Sequence, residues 1–220
     1  MRFTPCIIAV LALLFSSCGQ KGPTYARIST SLGDIVVMLY EDTPRHSDNF
    51  VELAQDGFYN GTLFHRVVPG FMIQGGDPES KDAGPGQSLG SGGPGYQIEE
   101  EIGKPHLRGA LAAARNNNPQ RASSGSQFYI VTGQRQTDAS LDNWERRHNI
   151  VYNEVQREWY KNYGGRPDLD MEYTVFGEVI EGIEVADAIT QVTRDNSNRP
   201  RQDISMEITI LEGYTPAAGE

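Results

Sequence analysis

Residues 64–77 read Phe-His-Arg-Val-Val-Pro-Gly-Phe-Met-Ile-Gln-Gly-Gly-Asp. The β-branched and aromatic residues on either side of the central Pro-Gly predict two short strands joined by a tight bend. Arg66 and Gln74 alternate along these strands with the apolar Phe71 and Met72. Because side chains of adjoining strands can share one face of a sheet, we expect a fixed guanidinium beside a small apolar pocket.

This combination suits rotation about an Xaa-Pro peptide bond. Such a bond resists rotation by about 18–20 kcal/mol because its nitrogen donates a lone pair into the carbonyl group. Halfway round, the nitrogen becomes pyramidal and accepts a hydrogen bond better than in either planar state. A donor aimed at that nitrogen therefore stabilises the transition state preferentially. Arg66 is the predicted donor, and the amide of Gln74 can hold it in place.

An ordinary structural interpretation of the same residues is also open. Arg66 would then be a salt-bridge partner on a strand surface, and Phe71 and Met72 would belong to the core. The residues by themselves do not separate these two interpretations.

The rest of the chain predicts a mainly β fold. Alternating or β-branched runs predict strands at residues 25–30, 34–40, 62–68, 71–75, 110–114, 127–132, 173–179 and 204–211. Thr43 and Pro44 open a helical spacing that ends near Gly57, and residues 183–192 predict a second helix. Many short strands with two helices favour a β-barrel capped at its ends.

One segment interrupts this series of strands. Between Leu141 and Tyr163 the apolar residues follow helical steps, with charged residues between them. We predict one inserted amphipathic helix over about residues 141–162, ended by Gly164 and Gly165. Two roles stay open for it: packing of its apolar face on the barrel, or contact with a client or partner.

Charge excludes one class of function. The 220 residues carry 19 Lys and Arg against 29 Asp and Glu, a net charge of −10. Nucleic-acid backbones are bound by clustered cations, so we expect no nucleic-acid partner. The length fits a single domain with one core.

The N-terminus predicts export. Arg2 precedes an apolar run at residues 7–15 that is too short to span a bilayer, and small residues precede Cys18. The segment resembles a bacterial lipoprotein signal, which implies a signal peptide at 1–17 and a lipidated Cys18. Ordinary secretion is the alternative. No acidic residue follows Cys18 directly, which favours the outer membrane, facing the periplasm.

The resulting domain division is a short tether at residues 18–24 and a folded domain at residues 25–220. Cys6 and Cys18 are the only cysteines in the sequence. The folded domain therefore contains no thiol, and disulfide bonds and thiolate catalysis are excluded from it.

Two glycine-rich patterns resemble other kinds of site. Residues 86–90 match the Gly-x-Ser-x-Gly pattern of esterases, with Asp142 and His148 following in triad order, but strand and helix signals are missing around the serine. Residues 90–95 match a dinucleotide fingerprint but lack its strand-helix setting. The four histidines show no paired metal-ligand spacing. We therefore predict an exposed loop at residues 84–95, and neither a metal nor a cofactor.

Five blocks of sequence decide between the open interpretations. They lie in order along the chain at residues 64–77, 92–96, 109–114, 124–130 and 173–179. Together they resemble the cyclophilin peptidyl-prolyl isomerases, over about residues 25–211. The resemblance implies an eight-stranded antiparallel barrel closed by two helices, whose outer face binds an extended peptide containing proline.

The resemblance also implies roles for individual residues. Arg66 falls on the catalytic arginine, and Gln74 on the residue that orients it. The implied substrate-binding residues are Phe71, Met72, Ala114, Gln127, Tyr129, Leu169 and Tyr173. All of these roles are non-covalent.

Several positions depart from the pattern of the family. Tyr129 stands where many relatives have Phe, and Tyr173 where eukaryotic members commonly have His. Asp168 stands in place of a Trp, and Arg115 in place of an Asn. Arg115 adds a charge near the groove.

We therefore expect a lipid-anchored, exported prolyl isomerase that acts as a monomer on proline-containing polypeptides. A module that binds proline peptides without turnover is the alternative. The presence of Arg66 favours the enzyme, because a binder has less need of a donor to the twisted nitrogen.

Overall fold

A computed structural model describes residues 22–216 of the chain. The predicted signal peptide, Cys18 and most of the predicted tether lie outside the described residues. The strands are β1 Thr24–Thr30, β2 Gly33–Leu39, β3 Arg66–Val68, β4 Met72–Gly75, β5 Gln97–Ile98, β6 Ala110–Ala113, β7 Ser123–Ser124, β8 Phe128–Val131, β9 Val175–Glu181 and β10 Met206–Leu211. The helices are α1 Pro44–Gln55, α2 Asp138–His148, α3 Glu154–Asn162 and α4 Ile183–Thr190. None of the helices within residues 22–216 has the length and apolar character needed to cross a membrane.

Eight strands form one curled antiparallel sheet in the order β10-β1-β2-β9-β6-β8-β4-β3. β1 and β2 form the predicted hairpin, and Gly33 turns it with a φ of 130°, which side chains disfavour. The chain segments just before β3 and β10 meet at the two edges of the sheet: Leu63 bridges to Ser205, and Phe64 N donates to Ile204 O at 2.9 Å. The predicted mainly β, eight-stranded architecture is confirmed.

Two helices cover the sheet as the sequence predicts. α1 begins at Pro44, where a missing N–H costs no hydrogen bond, and packs on β9 and β10. α4 packs on β2, β3 and β4 and buries Ala186 and Ile189. The interior between helices and sheet is apolar.

The inserted segment differs from the single helix predicted over residues 141–162. It forms two helices, α2 and α3, because Asn149 adopts the left-handed conformation (φ 53°, ψ 48°) and ends α2. Asn153 then opens α3 with a capping box, in which it exchanges hydrogen bonds with Gln156. Arg157 of α3 pairs with Glu145 of α2 at 3.0 Å and closes the two helices into a hairpin.

The predicted apolar face of the insertion is also only partly buried. Leu141, Tyr152 and Tyr160 point inward and form a small buried cluster. Val151 and Val155 are 88% and 73% exposed. The helical hairpin therefore packs on the barrel through Leu141 and its two buried tyrosines, whereas Val151 and Val155 face solvent.

Candidate active site

Paired strands bring Arg66 and Gln74 together. Arg66 of β3 is the register partner of Gln74 of β4, so both side chains leave the same face of the sheet. Arg66 Nη1 donates to Gln74 Oε1 at 3.2 Å, and Gln74 Nε2 donates to Gln127 Oε1 at 3.1 Å. Gln127 Nε2 donates in turn to the carbonyl oxygen of Gly92 at 2.7 Å. Within residues 22–216 the guanidinium is thus held by an amide rather than by a carboxylate.

The guanidinium lies beside a cavity of about 410 Å³. Its Cζ is 5.6 Å from the centre of the Phe71 ring. Eight residues that the sequence analysis assigns to the site line this cavity: Arg66, Phe71, Met72, Gln74, Ala114, Tyr129, Leu169 and Tyr173. The cavity therefore joins a fixed cation to an apolar hollow.

Gln127, the ninth such residue, lines a second cavity of about 430 Å³. The two cavities share Gln74, Gly90, Ala114 and Arg115 as lining residues, so they adjoin, and we call the two together the groove. The backbone of Ala114 pairs with Gln127, its N–H donating to the carbonyl at 2.9 Å. An extended polypeptide can lie along this groove with one residue in the Phe71 hollow.

The residues of the esterase-like pattern do not assemble into a triad. Ser88 lines the first cavity, in an irregular loop. Asp142 accepts instead from Arg157 at 2.7 Å, and His148 Nδ1 contacts the carbonyl oxygen of Asp170. Nucleophile, base and orienting acid are therefore not in mutual contact, as that chemistry requires.

A family model described as "Cyclophilin type peptidyl-prolyl cis-trans isomerase/CLD" matches residues 25–210. The chain belongs to the cyclophilin-type peptidyl-prolyl cis-trans isomerases.

Individual relatives agree with this membership. Peptidyl-prolyl cis-trans isomerase-like 3 of Homo sapiens is 33% identical over 189 residues, covering 83% of this chain and 93% of the human protein. Peptidyl-prolyl cis-trans isomerase-like 2 of Gibberella zeae is 31% identical over 192 residues. This match covers 87% of this chain but only 27% of that longer protein. A crystal structure of a cyclophilin-type isomerase from Cryptosporidium parvum superposes with a TM-score of 0.63 at 26% identity, covering 87% of this chain and 99% of that one.

In this cyclophilin the pocket residue Tyr129 is the end of a buried polar network. Its hydroxyl lies 3.0 Å from His106 Nε2, and His106 Nδ1 lies 2.9 Å from Asp170 Oδ1. Burial raises the pKa of Tyr129 well above its usual value, so the hydroxyl keeps its proton. When Nδ1–H of His106 donates to Asp170, Nε2 is left to accept from the Tyr129 hydroxyl.

The same carboxylate binds the inserted hairpin to the pocket. Asp170 Oδ2 accepts from the hydroxyl groups of Tyr152 at 2.5 Å and Tyr160 at 2.7 Å. Asp170 Oδ1 also accepts from the backbone N–H of His106 at 2.6 Å. Sequence reasoning missed His106 and Asp170, because a histidine and an aspartate so far apart carry no local signal. We refer to Asp170, His106, Tyr129, Tyr152 and Tyr160 as the Asp170 hub.

His65 is a further buried residue that the sequence analysis did not assign to the site. It lines the first cavity and is only 4% exposed, and neither ring nitrogen meets hydrogen-bond geometry with any group in residues 22–216. Burial lowers its pKa, while the charge of Asp77 and the Leu63 backbone oppose that shift without overcoming it. The ring is therefore a neutral group packed next to Arg66.

The glycine-rich stretch at residues 84–95 is irregular, as predicted, and its first part forms a wall of the cavity. Two buried charges hold it. Asp77 Oδ2 accepts from Gly90 N at 2.5 Å. Arg199, which is 6% exposed, donates to the carbonyl oxygens of Gly84 at 3.0 Å and Ala83 at 3.1 Å. The wall is therefore fixed from two sides.

Two further arginines lie at the rim of the groove. The Cζ of Arg166 is 3.8 Å from the centre of the Phe71 ring, and its guanidinium binds Asp168 through two hydrogen bonds. Burial acts to raise the pKa of Asp168, but the bonds from Arg166 outweigh it, so that pKa is lowered. Arg115 pairs with Glu172 at 3.0 Å. Each of these two guanidinium groups is therefore paired with a carboxylate of the protein.

Proposed function

We propose that Arg66 drives the isomerisation by donating a hydrogen bond to the proline nitrogen while the peptide bond is twisted. The observation that carries this proposal is the position of the guanidinium, held by Gln74 and facing the Phe71 hollow. In the planar ground states the nitrogen is a poor acceptor, so the donor gains its bond mainly in the transition state.

The expected size of this effect follows from comparable sites. One donor aimed at developing electron density in a partly dry pocket stabilises a transition state by about 3 kcal/mol, or roughly a hundredfold in rate. Gln74 and Gln127 contribute by keeping the guanidinium in place, which reduces the reorganisation needed during the reaction.

The clients that we propose are proline-containing proteins that fold outside the cytoplasm. The signal-like N-terminus with Cys18 supports this location, and lipid on Cys18 would anchor the enzyme to the outer membrane, facing the periplasm. Uncatalysed Xaa-Pro exchange takes tens to hundreds of seconds, so it can limit the folding of such clients. The enzyme acts as a monomer without a cofactor.

Exchange spectroscopy by NMR on a short Xaa-Pro peptide tests the mechanism. We expect Arg66→Ala to lower kcat/KM about a hundredfold while the affinity for the peptide changes little. Arg66→Lys should recover only part of the rate, since a lysine lacks the planar fork. Arg45→Ala is the matched control, because this exposed arginine pairs with Glu99 away from the groove.

Two results would contradict the mechanism. An inactive wild-type enzyme that still binds the peptide would indicate a binding module. An Arg66→Ala variant with the wild-type rate would show that the arginine does not take part in the reaction.

The proposed location is tested by a separate experiment. Mass spectrometry of the mature N-terminus should find a lipid-modified Cys18, and an unmodified secreted chain would disprove the anchor.

A further inference from the structure

Four apolar side chains form a stripe on the outer face of the inserted hairpin. They are Val151, Val155, Trp159 and Tyr163, with exposed fractions of 88%, 73%, 39% and 59%. The spacing of four residues places Val155, Trp159 and Tyr163 along one side of α3 and its C-terminal end, and Val151 lies in the loop just before the helix. The rings of Trp159 and Tyr163 lie with their centres 4.8 Å apart. We call these residues the exposed stripe.

The exposed stripe is not needed to hold the hairpin in place. α3 is fixed by residues outside the stripe: the hydroxyl group of Tyr160 donates to Asp170, and Arg157 pairs with α2. Contiguous apolar groups exposed on a soluble domain commonly mark a binding surface. Three of the four charged residues of α3 are paired: Glu158 binds Lys161 at 2.6 Å, and Arg157 pairs with α2. The helix thus offers solvent an apolar surface without a strong net charge beside it.

The exposed stripe is continuous with the substrate groove. Tyr163 directly precedes Gly164 and Gly165, and Gly165 N donates to Gln134 O at 3.0 Å. Gln134 also packs beside Gly70, where an added Cβ would lie 2.8 Å from its Nε2. Arg166, which follows Gly165, stacks on Phe71, which follows Gly70. The stripe therefore starts where the wall of the proline pocket ends.

We propose that the exposed stripe binds an apolar segment of an unfolded client, on the side of the proline that points away from Gln127. This inference rests on the isomerase acting on folding polypeptides. A client in the groove leaves the Phe71 hollow in two directions, along Ala114 and Gln127 or toward Arg166 and α3. The nine residues of α3 span about 14 Å, which about four extended client residues can cover. Short peptides do not reach the stripe.

Two substrates measured side by side test this proposal. One is a short Xaa-Pro peptide, and the other is an unfolded protein whose refolding is limited by proline isomerisation. The variants are Val155→Ser and Trp159→Ser in the full chain. We expect kcat/KM for the short peptide to stay within about twofold, and catalysis of refolding to fall about tenfold, as for loss of a binding hot spot. Leu32→Ser is the matched control, since Leu32 is 45% exposed on the β1–β2 turn.

A second measurement does not depend on the variants. An apolar peptide without proline should inhibit catalysis of refolding by the wild type and leave turnover of the short peptide unchanged. Equal refolding by wild type and stripe variants, or equal inhibition of both substrates, would overturn the proposal. So would a wild-type dimer in sedimentation that the variants dissociate, because the stripe would then bind a second copy. Absence of short-peptide turnover in the wild type would instead disprove the isomerase activity itself.

Discussion

The two interiors of this molecule are built on different principles. Between the curled sheet and its helices lie Ile28, Ile35, Leu111 and Ile130, all fully buried and apolar. Under the inserted hairpin, the centre is the carboxylate of Asp170 with phenol and imidazole donors around it. Apolar burial is non-directional and tolerates changes of shape. Hydrogen bonds to one carboxylate have fixed directions, so the Asp170 hub also fixes the position of the pocket wall.

The largest expected effect comes from removing the centre of the Asp170 hub. Asp170→Ala leaves buried donors of His106, Tyr152 and Tyr160 without an acceptor, and we expect the free energy of unfolding to fall by about 3–5 kcal/mol. The KM for a short Xaa-Pro peptide should rise, because Tyr129 and Leu169 lose their support. Urea unfolding and steady-state kinetics measure the two effects.

Leu111→Ala in the apolar interior is the comparison for that experiment. It creates a cavity and should cost about 2–5 kcal/mol, yet leave KM unchanged at temperatures where the variant is folded. If both variants shift KM equally, or if Asp170→Ala costs less than about 1 kcal/mol, the distinction between the two interiors is wrong.

A smaller effect is expected when only the link from the hub to the pocket is cut. Tyr129→Phe keeps the ring that lines the hollow but removes the hydroxyl that lies 3.0 Å from His106 Nε2. We expect a loss of about 1 kcal/mol in the free energy of unfolding and a change in kcat/KM of no more than about twofold. A drop of about a hundredfold, the size expected for a lost transition-state donor, would show instead that the hydroxyl takes part in the reaction.

The smallest effect concerns pH and two buried histidines. Burial lowers the pKa of both His65 and His46, and at His46 the hydrogen bond that the ring donates to Glu101 opposes this shift. Below the ordinary value of 6.5, the unfolded chain therefore binds protons that the folded chain does not. We expect the contribution of these histidines to the free energy of unfolding to be fully present above pH 6.5 and to decrease as the solution becomes more acidic.

Urea unfolding at pH 7.0 and pH 5.5 tests this sign. His65→Gln should lose less stability than the wild type over the same interval, because one of the two groups no longer titrates. Wild-type stability that is constant or higher at the lower pH, or an equal loss in both proteins, would contradict the assignment to His65.

Much of the fold could be predicted because its signals are local. The alternation around residues 64–77 and the Thr-Pro start of α1 act within a few residues, and the structure has the predicted elements there. The pocket residues come together for a related reason: β3 and β4 adjoin in sequence, so their pairing brings Arg66 to Gln74.

The inserted segment shows where such signals end. Its helical periodicity continues across Asn149 and Asn153, but the first residue adopts a left-handed conformation and the second caps a new helix. The Asn-x-x-Gln pattern at residues 153–156 was the available sign of that break. The side of α3 that faces inward is set by the bond from Tyr160 to Asp170, a tertiary contact that hydrophobic periodicity does not encode.

Asp77 and Arg199 hold the glycine-rich wall in place before a client binds. They therefore determine which partner loses conformational entropy on binding. A loose loop would have to be ordered by each polypeptide that arrives, and this ordering would weaken every complex. Here the wall is ordered beforehand, so the conformational freedom lost on binding belongs to the arriving chain. The affinity of the enzyme for a client should then increase with the rigidity of the client around its proline. Rigid proline-containing loops should bind most tightly and dissociate most slowly.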